Sequence, residues 1–513
     1  MPDIVLATQN ARWIHASFGL RCLRANLGEL RERSTILEFE TTQRPADVAE
    51  AILAAAPIIV GLGVYVWNAK EALQLARVLK AVRPELELVL GGPEVSHETE
   101  RQPIAALADH VVRGEGDLAF AALCRQLLAG ATDVPHLIDA PPPHFHELAW
   151  PYDEYTATDI AHRIVYVESS RGCPFTCEFC LSALPVAVRK AELAPFLAQM
   201  QRLLDRGVRH FKFVDRTFNL GIDTATAILA FFRERICDGL FLHFELIPDR
   251  LPDRLREEIA AFPPGALQFE VGVQTLDDAI GERIARRQDR ERLDANLRWL
   301  RSHSGVHVHA DLIVGLPGED EAGFARGFDA LLAAGPHEIQ VGILKRLRGT
   351  PIVRHDAGFG MRYADEAPYE VLATDAVPFA AMQRMKRFAR YWDIVANSGN
   401  WQCTLAVLLE GPSAHAAFDA FAVWLFATAR ATHGIAQKRL AGLLWRWLVD
   451  ERGLDRERVG AAMADDYERC GRDDWPECLR PYVRDRRSRR ERNPGAGKRQ
   501  ARHRGQGGQQ VGH

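Results

Sequence analysis

Short apolar runs rich in β-branched residues alternate with amphipathic helical patterns over the first 130 or so residues. DIVLAT, STILEFE, IIVGLGVYVW, ELELVLGGPE and ADHVVRGEGD have the composition of strands. SFGLRCLRANLGELRE, PADVAEAILAAAP and NAKEALQLARVLKAV have the period of helices. This alternation predicts right-handed crossovers and a parallel, doubly wound sheet over residues 1–132, with ligands at the carboxyl ends of its strands. Those ends carry Thr8 to Asn10, Gly61 to Trp67, Gly91 to Glu94 and Gly114 to Asp117. Prolines clustered in DVPHLIDAPPPHFHELAWPYDEY predict a linker over 133–160, because proline fixes φ and removes an amide donor.

A second alternation fills residues 161–365: VYVESS, FKFVDR, FLHFELI, LQFEVGV, VHVHADLIVGL and EIQVGIL, with helical segments between. Six strands in β/α order, short of the eight of a full barrel, predict a partial (β/α)6 barrel with its chemistry at the strand ends. Strand signals then fade, and AFDAFAVWLFATARATHG and KRLAGLLWRWLVDERG predict a small, mainly helical C-terminal domain over 366–482. Residues 483–513 are too polar to bury a core and read as a basic disordered tail. The expected fold class is therefore α/β throughout, closed by that helical domain.

Length supports several domains, since 513 residues exceed the roughly 250–300 at which a single core stops growing. With 26% charged residues, a net charge of −4 and no long apolar run, the composition is that of a soluble protein. The first residues lack a basic region followed by an apolar stretch, so a cytoplasmic location is expected, where disulfides are rare. Nine cysteines then read as buried thiols, metal ligands or reactive groups, and their spacing has to decide.

Three of them stand together in RGCPFTCEFC: Cys173, Cys177 and Cys180, a C-x3-C-x2-C arrangement directly after a predicted strand. Three thiolates on a cubane iron–sulfur cluster leave one iron free for another ligand. Tetrahedral zinc would need a fourth ligand, but His162 lies across a strand and the next cysteine, Cys237, is far along the chain.

This loop, with Phe179 before its last cysteine, resembles the cluster loop of the radical S-adenosylmethionine (SAM) superfamily. The resemblance implies a [4Fe–4S] cluster whose open iron chelates SAM, and reductive cleavage of SAM to a 5′-deoxyadenosyl radical. FKFVDRTFN (211–219), FEVGVQTLDD (269–278), DLIVGLPGED (311–320) and LKRLRGTPI (344–352) resemble that superfamily's second, fourth, fifth and sixth strands in order. By resemblance, Phe179, Asp215, Gln274, Gly315 and Pro317 lie against SAM. Read from the residues alone, Asp215 and Gln274 fit strand-end polar groups or caps equally, and Gly315, Pro317 and Gly318 fit a plain strand-to-helix turn. Glu245 and Glu270 alternate with apolar neighbours and face either solvent or a ligand.

The preceding domain is similar to the cobalamin-binding domain of corrinoid-dependent radical SAM proteins, on NARWIHASFGLRCL, VYVWN, GGPE and GEGD. RFARYWDIVANSGNW resembles an uncharacterised C-terminal domain of one branch of that class. The resemblance implies cobalamin contacts from Asn10, Gly63, Tyr65, Gly91, Gly92, Glu94, Gly114 and Glu115. No D-x-H-x-x-G occurs, and His15 lacks the aspartate two residues before it, so no histidine ligation of cobalt is expected. A nucleotide-binding or response-regulator-like docking domain is the alternative, although no complete dinucleotide or P-loop fingerprint is present.

These readings lead to a radical SAM enzyme that methylates an unactivated carbon of a small molecule, served by a flavodoxin or ferredoxin-type reductant. The alternatives are cobalamin-dependent or SAM-only cyclisation or rearrangement, and an iron–sulfur nucleic-acid-binding or sensor protein. The last is motivated by the ten Lys or Arg against two acids between Val483 and His513. That stretch lacks aromatic residues for base stacking, so nucleic acid is not expected as a partner.

Overall fold

The computed structural model describes residues 1–183, 187–483 and 499–503. Six strands form the first sheet: β1 (Ile4–Asn10), β2 (Ser34–Glu40), β3 (Ile59–Gly63), β4 (Glu87–Gly91), β5 (His110–Gly114) and β6 (Leu137–Ala140). Their order is β2-β1-β3-β4-β5-β6, all parallel, so the chain reverses direction across the sheet between β1 and β3. Both faces of β1 are covered, which is why its sequence is a continuous apolar run. Ile4 and Leu6 pack with Leu20 and Phe120 on one side, while Val5 and Ala7 pack with Val48 and Leu75 on the other.

The linker expectation needs correcting. HLIDA supplies the sixth strand, paired with β5, and the Asp139 carboxylate takes a two-pronged contact from Arg113 at 2.7 Å. Three of the prolines, at 141–143, follow this strand directly and stop the ladder rather than interrupt it. Further on, Tyr152 and Tyr155 are fully buried. Helix Ala157–His162 carries Asp159 into a buried ion network, in which Arg21 and Arg163 each contact Glu38 and Asp159 at 2.6–3.0 Å. Burial opposes ionisation of Asp159, yet the Arg21 guanidinium holds its carboxyl down to about 2. This network fastens the first sheet to the start of the second.

The second sheet begins with β7 (Val165–Val167). The small antiparallel pair β8 (Ser170–Arg171) and β9 (Arg189–Lys190) closes the cysteine loop. The sheet continues with β10 (His210–Phe213), β11 (Phe241–Leu246), β12 (Leu267–Gln274), β13 (His307–Val314) and β14 (Glu338–Ile343). Its order, β14-β13-β12-β11-β10-β7, is parallel and sequential, and β14 does not pair with β7: an open six-stranded barrel. Phe269, Val271 and Val273 of β12 join the apolar core. Residues between them carry Glu270 and Gln274 to the opposite face, where Glu270 meets His243 (3.0 Å) and Lys212 (3.6 Å).

The C-terminal region opens with the hairpin β15 (Arg362–Tyr363) and β16 (Val371–Ala373), and is helical from Phe379. It shares one core with the barrel, Trp392 lying 4.7 Å from Phe328 ring to ring. Asn397 both accepts from the Ile339 amide (3.1 Å) and donates to its carbonyl (2.9 Å), so its side chain occupies the unpaired edge of β14. Among the described residues no helix is long and apolar enough to cross a membrane.

Most of the expected disordered tail lies outside the described residues, but 499–503 do not fit that expectation. Arg499 pairs with Glu338 (2.7 Å) and Asp393 (2.9 Å), and His503 is buried against the Asn397 carbonyl (3.1 Å). Charge patterning alone hides this, since the anchoring carboxylates belong to other domains. Ending the chain after Val483 leaves Glu338 short of a cation. It should destabilise the barrel by about 1–3 kcal/mol and lower the calorimetric melting temperature; an unchanged melting temperature would contradict this docking.

Candidate active site between barrel and first sheet

Cys173, Cys177, Phe179 and Cys180 line one wall of a cavity of about 140 Å³ at the carboxyl ends of β10–β13. The loop is pinned at its centre by Glu178. The buried Glu178 carboxylate contacts Arg354 and lies 2.6 Å from His355, its amide donates to Ile284 O (3.1 Å), and its carbonyl accepts from the Ile352 amide (3.0 Å). Burial, with Cys180 and Cys177 adding repulsion, pushes the Cys173 thiol up. Three sulfurs crowded this way are stabilised as thiolates by a cationic group between them. Arg286 supplies part of that charge, donating from Nη1 to Cys177 Sγ (3.5 Å) and from Nη2 to Gly272 O.

The facing wall is polar: Arg216, Glu245, Glu270, Gln274 and Asp311. Gln274 has φ +72°, beside a bulge in the β12–β13 pairing that turns the strand end over the cysteines. Asp311 Oδ1 is buried and makes no hydrogen bond, with His309 Nε2 3.6 Å away, and burial together with Glu270 and Glu245 pushes its carboxyl well up. Three cysteines facing polar and charged side chains across one cavity are a donor set suited to a cluster with a polar ligand on its open iron.

Asp215, Gly315 and Pro317, also expected at SAM, are not among the residues lining this cavity. Asp215 is buried and accepts from the Ser169 amide (3.0 Å), Ser169 Oγ (2.6 Å) and Ser170 Oγ (2.6 Å), outside the cavity wall. It positions the entry to the cysteine loop. Gly315 (φ +87°) and Pro317 form the turn into helix Glu321–Ala334, with Pro317 O accepting from Arg283 (2.7 Å). Asp215→Asn strands a buried donor at the loop's entry, and anaerobically purified protein should lose roughly half its iron or more with far-UV circular dichroism unchanged; full iron would refute the positioning role.

A second cavity, about 440 Å³, lies between the strand ends of the first sheet and the barrel. Of the residues expected at cobalamin, Gly63, Tyr65, Gly91, Gly92, Gly114 and Glu115 line it. Asn10 and Glu94 do not. Asn10 donates to Glu38 (2.9 Å), whereas Glu94, buried, ties Arg348 (2.9 Å) and Tyr369 of the barrel side to the first domain. Sequence reading missed the cavity's other walls: Phe18, Gly19 and Cys22 from helix Phe18–Ala25, and Glu168, Ser170, Arg171 and Val214 from the barrel. A sheet-edge rule points only to the strand ends of the first domain, so neither its helix face nor the barrel side falls under it. Arg171 links the two sides, contacting Glu168 (2.8 Å), Asp117 (2.8 Å) and Glu115 (2.9 Å), and burial pushes Glu168 up to about 7 even against Arg171.

No histidine is among the residues lining this cavity. His15 instead sits 2.7 Å from the Tyr166 hydroxyl, joining β7 to the first domain. Burial pushes the Cys22 thiol far up, so it stays protonated. The lining suits a corrinoid in its glycine backbone at the strand ends of β3–β5 and its carboxyl groups along the side.

Three family profiles match the chain in succession. Residues 4–124 match the B12 binding domain, 167–330 the Radical SAM superfamily, and 357–496 a protein of unknown function (DUF4080). The 2-(S-pantetheinyl)-carbapenam-3-carboxylate methyltransferase of Streptantibioticus cattleyicolor is 27% identical over 349 residues, 61% of this chain and 51% of that protein. The cobalamin-dependent radical SAM methyltransferase TokK of Streptomyces tokunonensis is 25% identical over 319 residues, 55% of this chain and 46% of TokK. The chain thus spans about half the length of the curated relatives it matches. Among solved structures, the cobalamin-dependent S-adenosylmethionine radical enzyme OxsB, with aqua-cobalamin and S-adenosylmethionine bound, superposes with TM-score 0.59 over 91% of this chain and 84% of OxsB. At 11% identity that likeness is one of fold.

Proposed function

This chain is a radical SAM protein with a B12 binding domain ahead of its barrel and a DUF4080 domain behind it, and we propose that it methylates an unactivated carbon of a small molecule. The observation that carries this reading is the shared wall of the two cavities: Arg216 lines both the cysteine cavity and the glycine-edged cavity. A substrate at that wall is within reach of a group held in either cavity.

When bound, the reduced cluster supplies the electron that cleaves SAM and the corrinoid supplies the methyl group. Cys173, Cys177 and Cys180 would hold three of the irons, with Arg286 offsetting thiolate charge at Cys177. Gln274, Glu270 and Asp311 would orient the polar groups of SAM, while Phe175 and Phe179 would exclude water from the loop side. Backbone at Gly63, Gly91 and Gly92 would lie against the corrin, and Glu115, Asp117 and Glu168 would hydrogen-bond its amide arms. Electrons would come from a flavodoxin or ferredoxin-type partner.

A deletion strain grown with methyl-deuterated methionine should lack a metabolite that the parent strain makes with the label in place. A missing metabolite that carries no label would favour cyclisation or rearrangement over methylation.

A further inference from the structure

Among the described residues only Arg216 belongs to the walls of both cavities, and its surroundings differ from those of the other arginine at the cysteines. Arg286 is engaged at both ends, by Cys177 Sγ and Gly272 O. Arg216 has five N–H donors, about half of its side-chain surface is uncovered, and its ion pair is a single long contact, 3.4 Å from Nη1 to Glu245 Oε1. That contact occupies one N–H at most and leaves the others without a hydrogen bond among the described residues. A planar fork with free donors in a confined space is suited to two-pronged capture of an oxyanion.

Its backbone is held rigid on both sides. Asp215, immediately before it, is locked by Ser169 and Ser170. Asn219, three residues on, is clamped by its side chain to the Ile247 amide (2.8 Å) and carbonyl (2.9 Å). Such support fixes a recognition group in place before its ligand arrives. A solvated surface arginine has no need of it.

We propose that Arg216 is the specificity-determining residue of this site, and that the substrate carries a carboxylate or phosphate which docks on its guanidinium where the two cavities meet. This rests on the two-cavity reading above and deepens it by naming the substrate's chemical class. A substrate anchored there presents the neighbouring carbon between the cysteine loop and the glycine edge, and a neutral or cationic substrate would leave the guanidinium without a counter-charge.

The test uses the full chain with its cluster reconstituted and reduced, and no corrinoid, so that failure of the corrinoid reading does not decide it. Inorganic phosphate is the probe, read by phosphorus-31 relaxation enhancement from the paramagnetic cluster, with tetramethylammonium proton relaxation as the cationic control. The wild-type chain should relax phosphate saturably and tetramethylammonium not at all, and Arg216→Gln should weaken the phosphate effect about tenfold or more, with Arg216→Lys in between. Equal relaxation in Arg216→Gln, or saturable relaxation of the cation, would overturn the proposal. SAM and hydroxocobalamin dissociation constants, measured by equilibrium dialysis, should change less than about threefold in Arg216→Gln. A loss of about tenfold for either would assign the arginine to the SAM carboxylate or the corrinoid phosphate and would also overturn it.

Discussion

Cys177→Ala, purified without oxygen, should lose nearly all of its iron and release no 5′-deoxyadenosine from SAM under a strong reductant. Cys177 is the most buried of the three loop cysteines and the one to which Arg286 donates. Under the proposed ligation its loss removes one of three cysteine ligands and leaves that guanidinium facing an empty position, with no further cysteine among the described residues lining the cavity. A cubane held by two thiolates has two irons open to solvent and is lost on purification. Cys403→Ala, at an exposed site in the C-terminal region, is the control and should keep full iron. Iron and SAM cleavage retained in Cys177→Ala would remove the basis of the cluster assignment.

The second large effect is steric. Gly91→Leu should reduce hydroxocobalamin binding by about a hundredfold or more, the outcome of filling a site with a side chain that cannot retreat, while iron content and SAM cleavage persist. A Cβ at Gly91 meets only Val112 O, at 3.7 Å, so the side chain grows into the 440 Å³ cavity without disturbing the sheet. Gly92, beside it, is unsuitable as a probe. Its φ is +109° and a Cβ there would lie 2.4 Å from Val64 O, so any substitution distorts the β3–β4 strand ends before it reaches the cavity. Full corrinoid binding by Gly91→Leu would place the corrinoid elsewhere.

Much of the fold was legible from period alone. β1 to β5 and the six barrel strands follow apolar runs that parallel sheets bury on both faces or on one, and the cysteine loop falls where a strand ends. β6 was hidden among prolines, since a composition rule averages over a strand of four residues. Of the residues read from the sequence, those at or just beyond strand ends line the two cavities: the three cysteines, Phe179, Gln274 and the glycines of β3–β5. Asp215, Asn10 and Glu94 also follow or end strands, but their carboxyl or amide groups are consumed by neighbours that only folding brings near: Ser169, Glu38 and Arg348. Arg216, adjacent to Asp215, was passed over for the opposite reason. Arginines are frequent on surfaces, and nothing in its own segment says that two cavities converge on it.

The most direct test of the account is one anaerobic sample of the full chain, reconstituted with iron, sulfide and hydroxocobalamin and assayed for all three cofactors. The account predicts about four irons and about one cobalt per chain, a cluster resonance that shifts when SAM is added, and a cob(II)alamin resonance without superhyperfine splitting from a protein nitrogen. Nitrogen splitting abolished by His15→Ala would contradict the expectation that no histidine ligates cobalt, and a chain that holds its irons and cleaves SAM but retains no cobalt would contradict methyl transfer through a corrinoid altogether.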